Sequence, residues 1–185
     1  MAETLRRSKL LQAMTFFATR TSHCGKDKLY WLLYLLDFKI YAATSVPVTG
    51  LEYFASAAGP VPLALDDEMA NPAQDFVQQF NVDNLMLTNG CRLLSLTPRG
   101  PFDPAPFTAL ERIDLEVLGA VHALTPADSM AELPFLPTEP WRQTYESAGQ
   151  EFELIDYRLA RTRPFVAAGL LAPGALGLRR RALRY

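Results

Sequence analysis

Between Lys26 and Thr44 the chain is apolar on almost every side. Leu29, Leu32, Leu33, Leu36 and Ile40 form one stripe at helical spacing, and Tyr30, Trp31, Tyr34, Phe38 and Tyr41 widen it until little polar surface is left. Such a helix cannot lie on a surface and must be enclosed by other elements. The spacing predicts a central helix over 26–44, so the rest of the chain must be long and apolar enough to wrap it. With 185 residues, 49% of them hydrophobic and 21% charged, it is. This length suits one sizeable core and is short for two full domains. The apolar fraction excludes a disordered chain. The unbroken apolar run Leu29–Leu36 is eight residues, against the roughly 20 that a membrane span needs.

The segments around this helix read as a mainly α, α+β domain: a compact helical fold with one small antiparallel hairpin or sheet. Leu10, Leu11, Met14 and Phe17 predict a helix over 3–20, with a break from Thr21 to Gly25 and Asp27 near the next helix start. Pro47 closes the central helix, since the residue before a proline avoids helical geometry. Leu51–Ala57 reads as a short strand. Gly59-Pro60-Val61-Pro62 then opens a helix over 62–70 that turns Asp66, Asp67 and Glu68 to solvent, and Asn71-Pro72 ends it. Phe76–Leu87 and Cys91–Thr97 read as paired strands, because Asn89-Gly90 suits the type I′ hairpin turn. Leu110, Ile113, Val117 and Val121 recur at helical spacing and predict a helix over 108–124. Thr125-Pro126 starts another that ends by Leu133. Residues 141–147 suit one further helical turn, and 152–160 fit either regular structure. The expected layout is a single domain over 1–156 and a basic C-terminal extension over 157–185, with no internal repeat.

Charge is distributed unevenly. Residues 1–50 carry seven Lys/Arg against three Asp/Glu, a net +4. Residues 51–156 carry four arginines against 17 acids, a net −13, and residues 157–185 carry seven arginines and no acid, a net +7. An acidic middle repels phosphates, which argues against nucleic acid binding through the core, and it suits a basic protein partner. Arg179-Arg180-Arg181 with Arg184 forms a basic tail. Met1–Leu11 mixes Glu3, Arg6, Arg7 and Lys9 with isolated leucines and lacks a signal peptide's apolar stretch. The apolar stretch Phe165–Leu178 is 14 residues and is interrupted by Gly169, Pro173, Gly174 and Gly177. The expectation is therefore a soluble, cytoplasmic protein without a membrane anchor.

Residues that carry chemistry are sparse. Cys24 and Cys91 are too few for a disulfide scaffold and suit free thiols in a reducing compartment. With His23 and His122 they show none of the spacings that prearrange metal ligands. His23 adjoins Cys24 in sequence, but a Cys–His pair works through space. No nucleophile elbow, P-loop or dinucleotide fingerprint is present. No enzyme activity, metal or cofactor is expected.

The segment Lys28-Leu-Tyr-Trp-Leu-Leu-Tyr-Leu-Leu-Asp-Phe38, followed by Val48-Thr49-Gly50-Leu51-Glu52-Tyr53 and Ala58-Gly59-Pro60-Val61-Pro62, resembles the Panacea domain, the SocA-like, phage-associated antitoxin family. Val117–Glu132 and Glu139-Pro140-Trp141 are similar to that family's later helix-loop ending near a Pro-Trp pair, so the resemblance covers about residues 26–145. One departure stands out: the family often has a Ser-His-Glu step before the tryptophan, and here the stretch is Leu136-Pro137-Thr138-Glu139. The resemblance implies an antitoxin of a bacterial toxin–antitoxin pair. It would bind and neutralise a cognate protein toxin encoded next door, and in the SocA branch deliver it to the ClpXP protease as a proteolytic adaptor. Glu52, Tyr53, Gly59, Pro60 and Val61 match the motif and are candidate partner contacts. Tyr53 and Trp141 are of the aromatic types that anchor interfaces, although Gly59 and Pro60 equally set a turn and Trp141 equally fills a core. Asp66, Asp67 and Glu68 suit a basic toxin. The competing readings are a hydrolase using Cys24 or the acidic cluster, and an autoregulatory DNA-binding protein using the Arg-rich ends.

Overall fold

Helix α2 spans Lys26–Thr44, the bounds that its apolar spacing predicts, and every residue from Lys28 to Phe38 is buried. A computed structural model describes residues 2–22, 24–86, 92–125, 130, 139–148 and 152–161 of the chain. Helix α1 (Ala2–Arg20) packs along α2 through Leu10, Met14 and Phe17, the residues whose spacing marks it in the sequence. The left-handed backbone of Ser45, with φ 64°, ends α2 before Pro47 is reached.

Strands β1 (Phe54–Ser56) and β2 (Gly59–Val61) form a tight antiparallel hairpin on α2. Here the expectation is corrected: Gly59 and Pro60 lie in a strand, and helix α3 begins at Leu63 and runs to Ala70. Pro60 is tolerated because β2 is an edge strand, where a missing N–H breaks no ladder bond. Gly59 has φ +134° and lies flat on the Trp31 indole, so a Cβ there would stand 2.5 Å from Trp31 Nε1.

Helix α4 (Gln74–Gln79) leads into β3 (Phe80–Met86), which pairs antiparallel with β4 (Arg92–Pro98) in register from Phe80↔Pro98 to Met86↔Arg92. The expected hairpin is present, but its first residues, 76–79, are helical; its Asn89-Gly90 turn lies outside the described residues. Helix α5 (Ala109–Val121) is capped by Thr108, which accepts from the Glu111 N–H at 3.3 Å while Glu111 accepts from the Thr108 N–H at 2.7 Å. The expected helix after Thr125 lies outside the described residues apart from Met130, which is buried.

Helix α6 (Pro140–Ala148) covers and extends the turn expected around Trp141. Strand β5 (Glu153–Leu154) then joins β1, giving a second small sheet of order β2-β1-β5 where one sheet was expected. A 3-10 helix, Tyr157–Arg161, stacks Tyr157 on Phe38 with ring centroids 4.5 Å apart. Of the residues after the expected boundary at 156, Ala160 joins the core and Tyr157 packs against it. The fold is mostly helical with small antiparallel sheets. Among the described residues no helix is long and apolar enough to cross a membrane.

The Gly59–Trp31 contact yields a direct test. Gly59→Ala forces both a clash with an aromatic ring and a strained backbone, and should cost about 2–4 kcal/mol in chemical denaturation. Gly100→Ala, at a position with nothing within 4 Å, should change stability by less than about 0.5 kcal/mol.

Candidate functional site

An aspartate inside an all-round apolar helix needs donors brought to it, and Asp37 receives them from the stretch between α2 and β1. The Thr49 N–H donates to Oδ1 at 2.7 Å. The Thr49 hydroxyl donates to Oδ2, and the Tyr53 hydroxyl donates to the same oxygen at 2.8 Å. The Tyr157 hydroxyl stands 3.3 Å from Oδ2 and donates to the Leu51 carbonyl at 2.6 Å. Burial pushes the Asp37 carboxyl above the usual aspartate value, against the pull of these hydrogen bonds. The same burial, together with the Asp37 charge, raises the Tyr53 and Tyr157 phenols. All the donors converge on a fully enclosed group, so Asp37 organises the chain between α2 and β1 and is screened from any substrate.

A second polar knot sits about one turn before Asp37 on α2, at Tyr34. Tyr34 donates to Glu139 Oε1 and accepts the Trp141 N–H at 2.9 Å, while Glu139 Oε2 accepts the Arg142 N–H at 3.1 Å. Glu139 thus caps α6, with Pro140 at the first helical position, where no N–H is needed. Burial raises the Glu139 carboxyl, opposed by these bonds. The Trp141 indole N–H reaches the Ser56 carbonyl at 3.0 Å, and the Trp31 indole N–H reaches the Ala58 carbonyl at 3.3 Å. The two indoles meet edge to face with centroids 5.1 Å apart. The β1–β2 hairpin is therefore held through two of its carbonyls by a pair of tryptophans packed on each other.

These contacts decide where the candidate interface residues lie. Tyr53, Gly59, Pro60 and Trp141 converge on one unit, but all four are buried. Tyr53 and Trp141 are corrected from interface anchors to core residues, since their polar atoms bond inside the chain and their rings pack on Tyr34 and Trp31. Val61 is half-buried, and Glu52 is exposed just before β1.

The acidic cluster on α3 does not face solvent as a whole. Asp66 accepts from the Tyr30 hydroxyl at 2.6 Å and pairs with Lys26 at 2.8 Å. Desolvation raises its carboxyl, but the bonds from Lys26 and Tyr30 prevail and hold it below the usual value. Glu68 is gripped by Arg7, whose Nη1 donates to Oε2 at 2.7 Å and whose Nε donates to Asp75 at 2.7 Å. Only Asp67 is left exposed.

The pairing extends across the molecule. Lys9 meets Glu111 at 2.6 Å, Lys39 meets Asp114 at 2.5 Å and Arg20 approaches Glu116 at 3.6 Å. Five of the seven cations in residues 1–50 are thus matched to acids of the acidic middle, which reduces the surface left for a basic partner. Lys28 is buried and donates to the Ser22 carbonyl at 2.8 Å; desolvation lowers its pKa. Arg6 is exposed beside Gly50, at an open cleft of about 500 Å³ lined also by Glu3, Arg7, Leu10 and Thr49. The tail Arg179–Arg184 lies outside the described residues, as do His23 and Cys91. Burial pushes the Cys24 thiol up, the wrong direction for a nucleophile. His122 is enclosed at the end of α5. Among the described residues no three His, Cys, Asp or Glu side chains group as metal ligands. Compared with known protein families, characterised proteins and solved structures, the chain matches none.

Two variants separate these networks by pH. Asp37→Asn loses one accepting oxygen and should destabilise by about 1–3 kcal/mol. Because the native carboxyl is raised, its favourable contribution fades as pH rises through the shifted value. The deficit of the variant in thermal melts should therefore narrow as pH rises above the usual aspartate range. Arg7 acts with the opposite sign: it holds Asp75 below the usual range, so that stability is present at neutral pH and lost as pH falls through the depressed value. Arg7→Ala should cost on the order of 1 kcal/mol at low salt, after discounting for its partial exposure, and should flatten the acid limb of the stability curve.

Proposed function

We propose that this chain is the antitoxin of a bacterial toxin–antitoxin pair, binding and neutralising a protein toxin encoded by the adjacent gene. The observation that carries this reading is the convergence of the motif residues. Lys28–Phe38, Thr49-Gly50, Tyr53, Gly59-Pro60 and Glu139-Pro140-Trp141 are the residues that resemble the SocA-like Panacea family. They meet in one packed unit around α2 although they lie up to 113 positions apart in sequence, from Lys28 to Trp141. A motif that is structurally one object is better evidence of resemblance than the same residues scattered over a fold.

Within this reading the chain acts as a binding module in the cytoplasm, and its motif residues are scaffold. Of the candidate contacts, Glu52 before β1 and Asp67 on α3 are the exposed acids, and Val61 of β2 is half-buried. Those residues are the contact points for a basic toxin. Delivery of the bound toxin to ClpXP belongs to the same proposal and would make the chain an adaptor as well as an inhibitor.

Co-expression tests it. The neighbouring gene alone should stop growth, and this chain should restore growth and co-purify with its product. A harmless neighbour that does not co-elute would overturn the reading. Glu52→Lys with Asp67→Lys should weaken the complex several-fold more at low than at high salt. Glu68→Lys should act differently, lowering the melting temperature of the isolated chain, because it places a cation against Arg7.

A further inference from the structure

Arg6 is the one cation of residues 1–50 that makes no hydrogen bond or ion pair among the described residues. Arg7, Lys9, Arg20, Lys26 and Lys39 each hold an acid, and Lys28 donates to the Ser22 carbonyl. In a chain that pairs its charges so fully, a guanidinium with all its donors free is the exception. It lines the open cleft of about 500 Å³ between α1 and the loop that follows α2.

The position of Arg6 is set by the floor of that cleft. Asp37 takes both the N–H and the hydroxyl of Thr49, which fixes the loop just before Gly50. Gly50 has φ +73°, a left-handed conformation that suits a residue without Cβ. The Arg6 side chain runs over that bare Cα, since a Cβ at Gly50 would stand 3.3 Å from Arg6 Cδ and 3.4 Å from Nη1. The Gly50 N–H has no hydrogen-bond partner among the described residues. Unused donors from a side chain and from the backbone therefore line the same cleft.

The charges of the lining narrow what can sit there. Arg7 also lines the cleft but is committed to Glu68 and Asp75. Glu3 is the one acid of the lining and makes no ion pair with Arg6. One uncommitted cation, opposed by one acid, balances a single negative charge at most. Inorganic phosphate brings a second charge near neutral pH that no group in the lining offsets. A carboxylate brings one, and its two oxygens match the parallel N–H groups of a guanidinium. Leu10 supplies an apolar wall for a short aliphatic stem.

From this cleft we propose that the chain binds a carboxylate group at Arg6, with the guanidinium holding both oxygens and the Gly50 N–H supplying a further donor. A small free aliphatic acid and the end of a peptide chain present the same chemistry. The site is independent of the antitoxin reading, because its lining includes none of Glu52, Val61 and Asp67. An ion pair open to solvent is weak, so an isolated carboxylate should bind with a dissociation constant in the millimolar range.

The test is an NMR titration of the full chain at constant ionic strength, reading the Gly50 amide and the Arg6 side-chain N–H. The probes are propionate, N-acetyl-dialanine, its C-terminal amide and inorganic phosphate. Both carboxylates should move the two signals to saturation, the amide should not, and phosphate should bind several-fold more weakly. Arg6→Gln should abolish the saturable shift at Gly50 while the rest of its spectrum shows an intact fold. Arg6→Lys should keep binding but weaken it several-fold, because an ammonium cannot present parallel N–H groups. Equal affinity for the two carboxylates supports a small free acid as the natural source, and tighter binding of N-acetyl-dialanine supports a peptide end. The proposal is overturned by carboxylates that give no saturable shift, or by saturation that survives in Arg6→Gln. Phosphate binding tighter than either carboxylate overturns the assignment of the ligand.

Discussion

Enclosing α2 on every side is the constraint from which the remaining structure follows. A helix buried from Lys28 to Phe38 cannot hydrate the polar groups it carries, so each must be met by another part of the chain. Asp37 draws in Thr49, Tyr53 and Tyr157; Tyr34 draws in Glu139 and Trp141; Tyr30 draws in Asp66; and Lys28 takes the Ser22 carbonyl. Those contacts place the loop after α2, the hairpin, the starts of α3 and α6, and the last 3-10 turn. Apolar packing supplies most of the stabilisation, at roughly 25 cal/mol per Å². It does not specify register, and the buried polar groups do, because each tolerates few partners in few geometries.

Electrostatics repeats this logic nearer the surface. Taken along the sequence, the charges suggest a basic head and an acidic middle waiting for a partner. Folded, the head is that partner for much of the middle: Arg7, Lys9, Arg20, Lys26 and Lys39 each meet an acid from beyond residue 51. The half-buried pairs Lys9–Glu111 and Lys39–Asp114 orient α5, while Arg7 ties α3 and α4 to α1. A charge asymmetry along a chain is therefore poor evidence about an external ligand until the internal pairs have been counted.

What the sequence disclosed depended on whether the signal was local. The bounds of α2, the body of α1, the start of α5 at Thr108 and the β3–β4 hairpin are all written in spacing, caps or turn residues, and the structure has them. Gly59-Pro60 was misleading because the same dipeptide suits a helix start and an edge strand, and the choice was made by a distant residue, the Trp31 ring. The candidate contacts divided the same way: Tyr53 and Trp141 are interface types by composition, yet Asp37, Ser56 and Trp31 claim them. An aspartate and a lysine inside an otherwise apolar helix announce buried polar partners, though they do not say which.

Helix α1 distributes its cations to different neighbours. Arg7 and Lys9 lie two positions apart, about 200° around the helix axis. Arg7 binds Glu68 of α3 and Lys9 binds Glu111 of α5, so one helix serves two others through ion pairs set on different sides of its own axis. Lys39 of α2 adds the second hold on α5 through Asp114. With Glu111 and Asp114 both turned inward to their cations, the apolar positions Leu110 and Ile113 of the same helix are left exposed. The orientation of α5 thus follows its buried charges, not its apolar periodicity, because a buried charge parted from its partner costs more than an exposed aliphatic side chain.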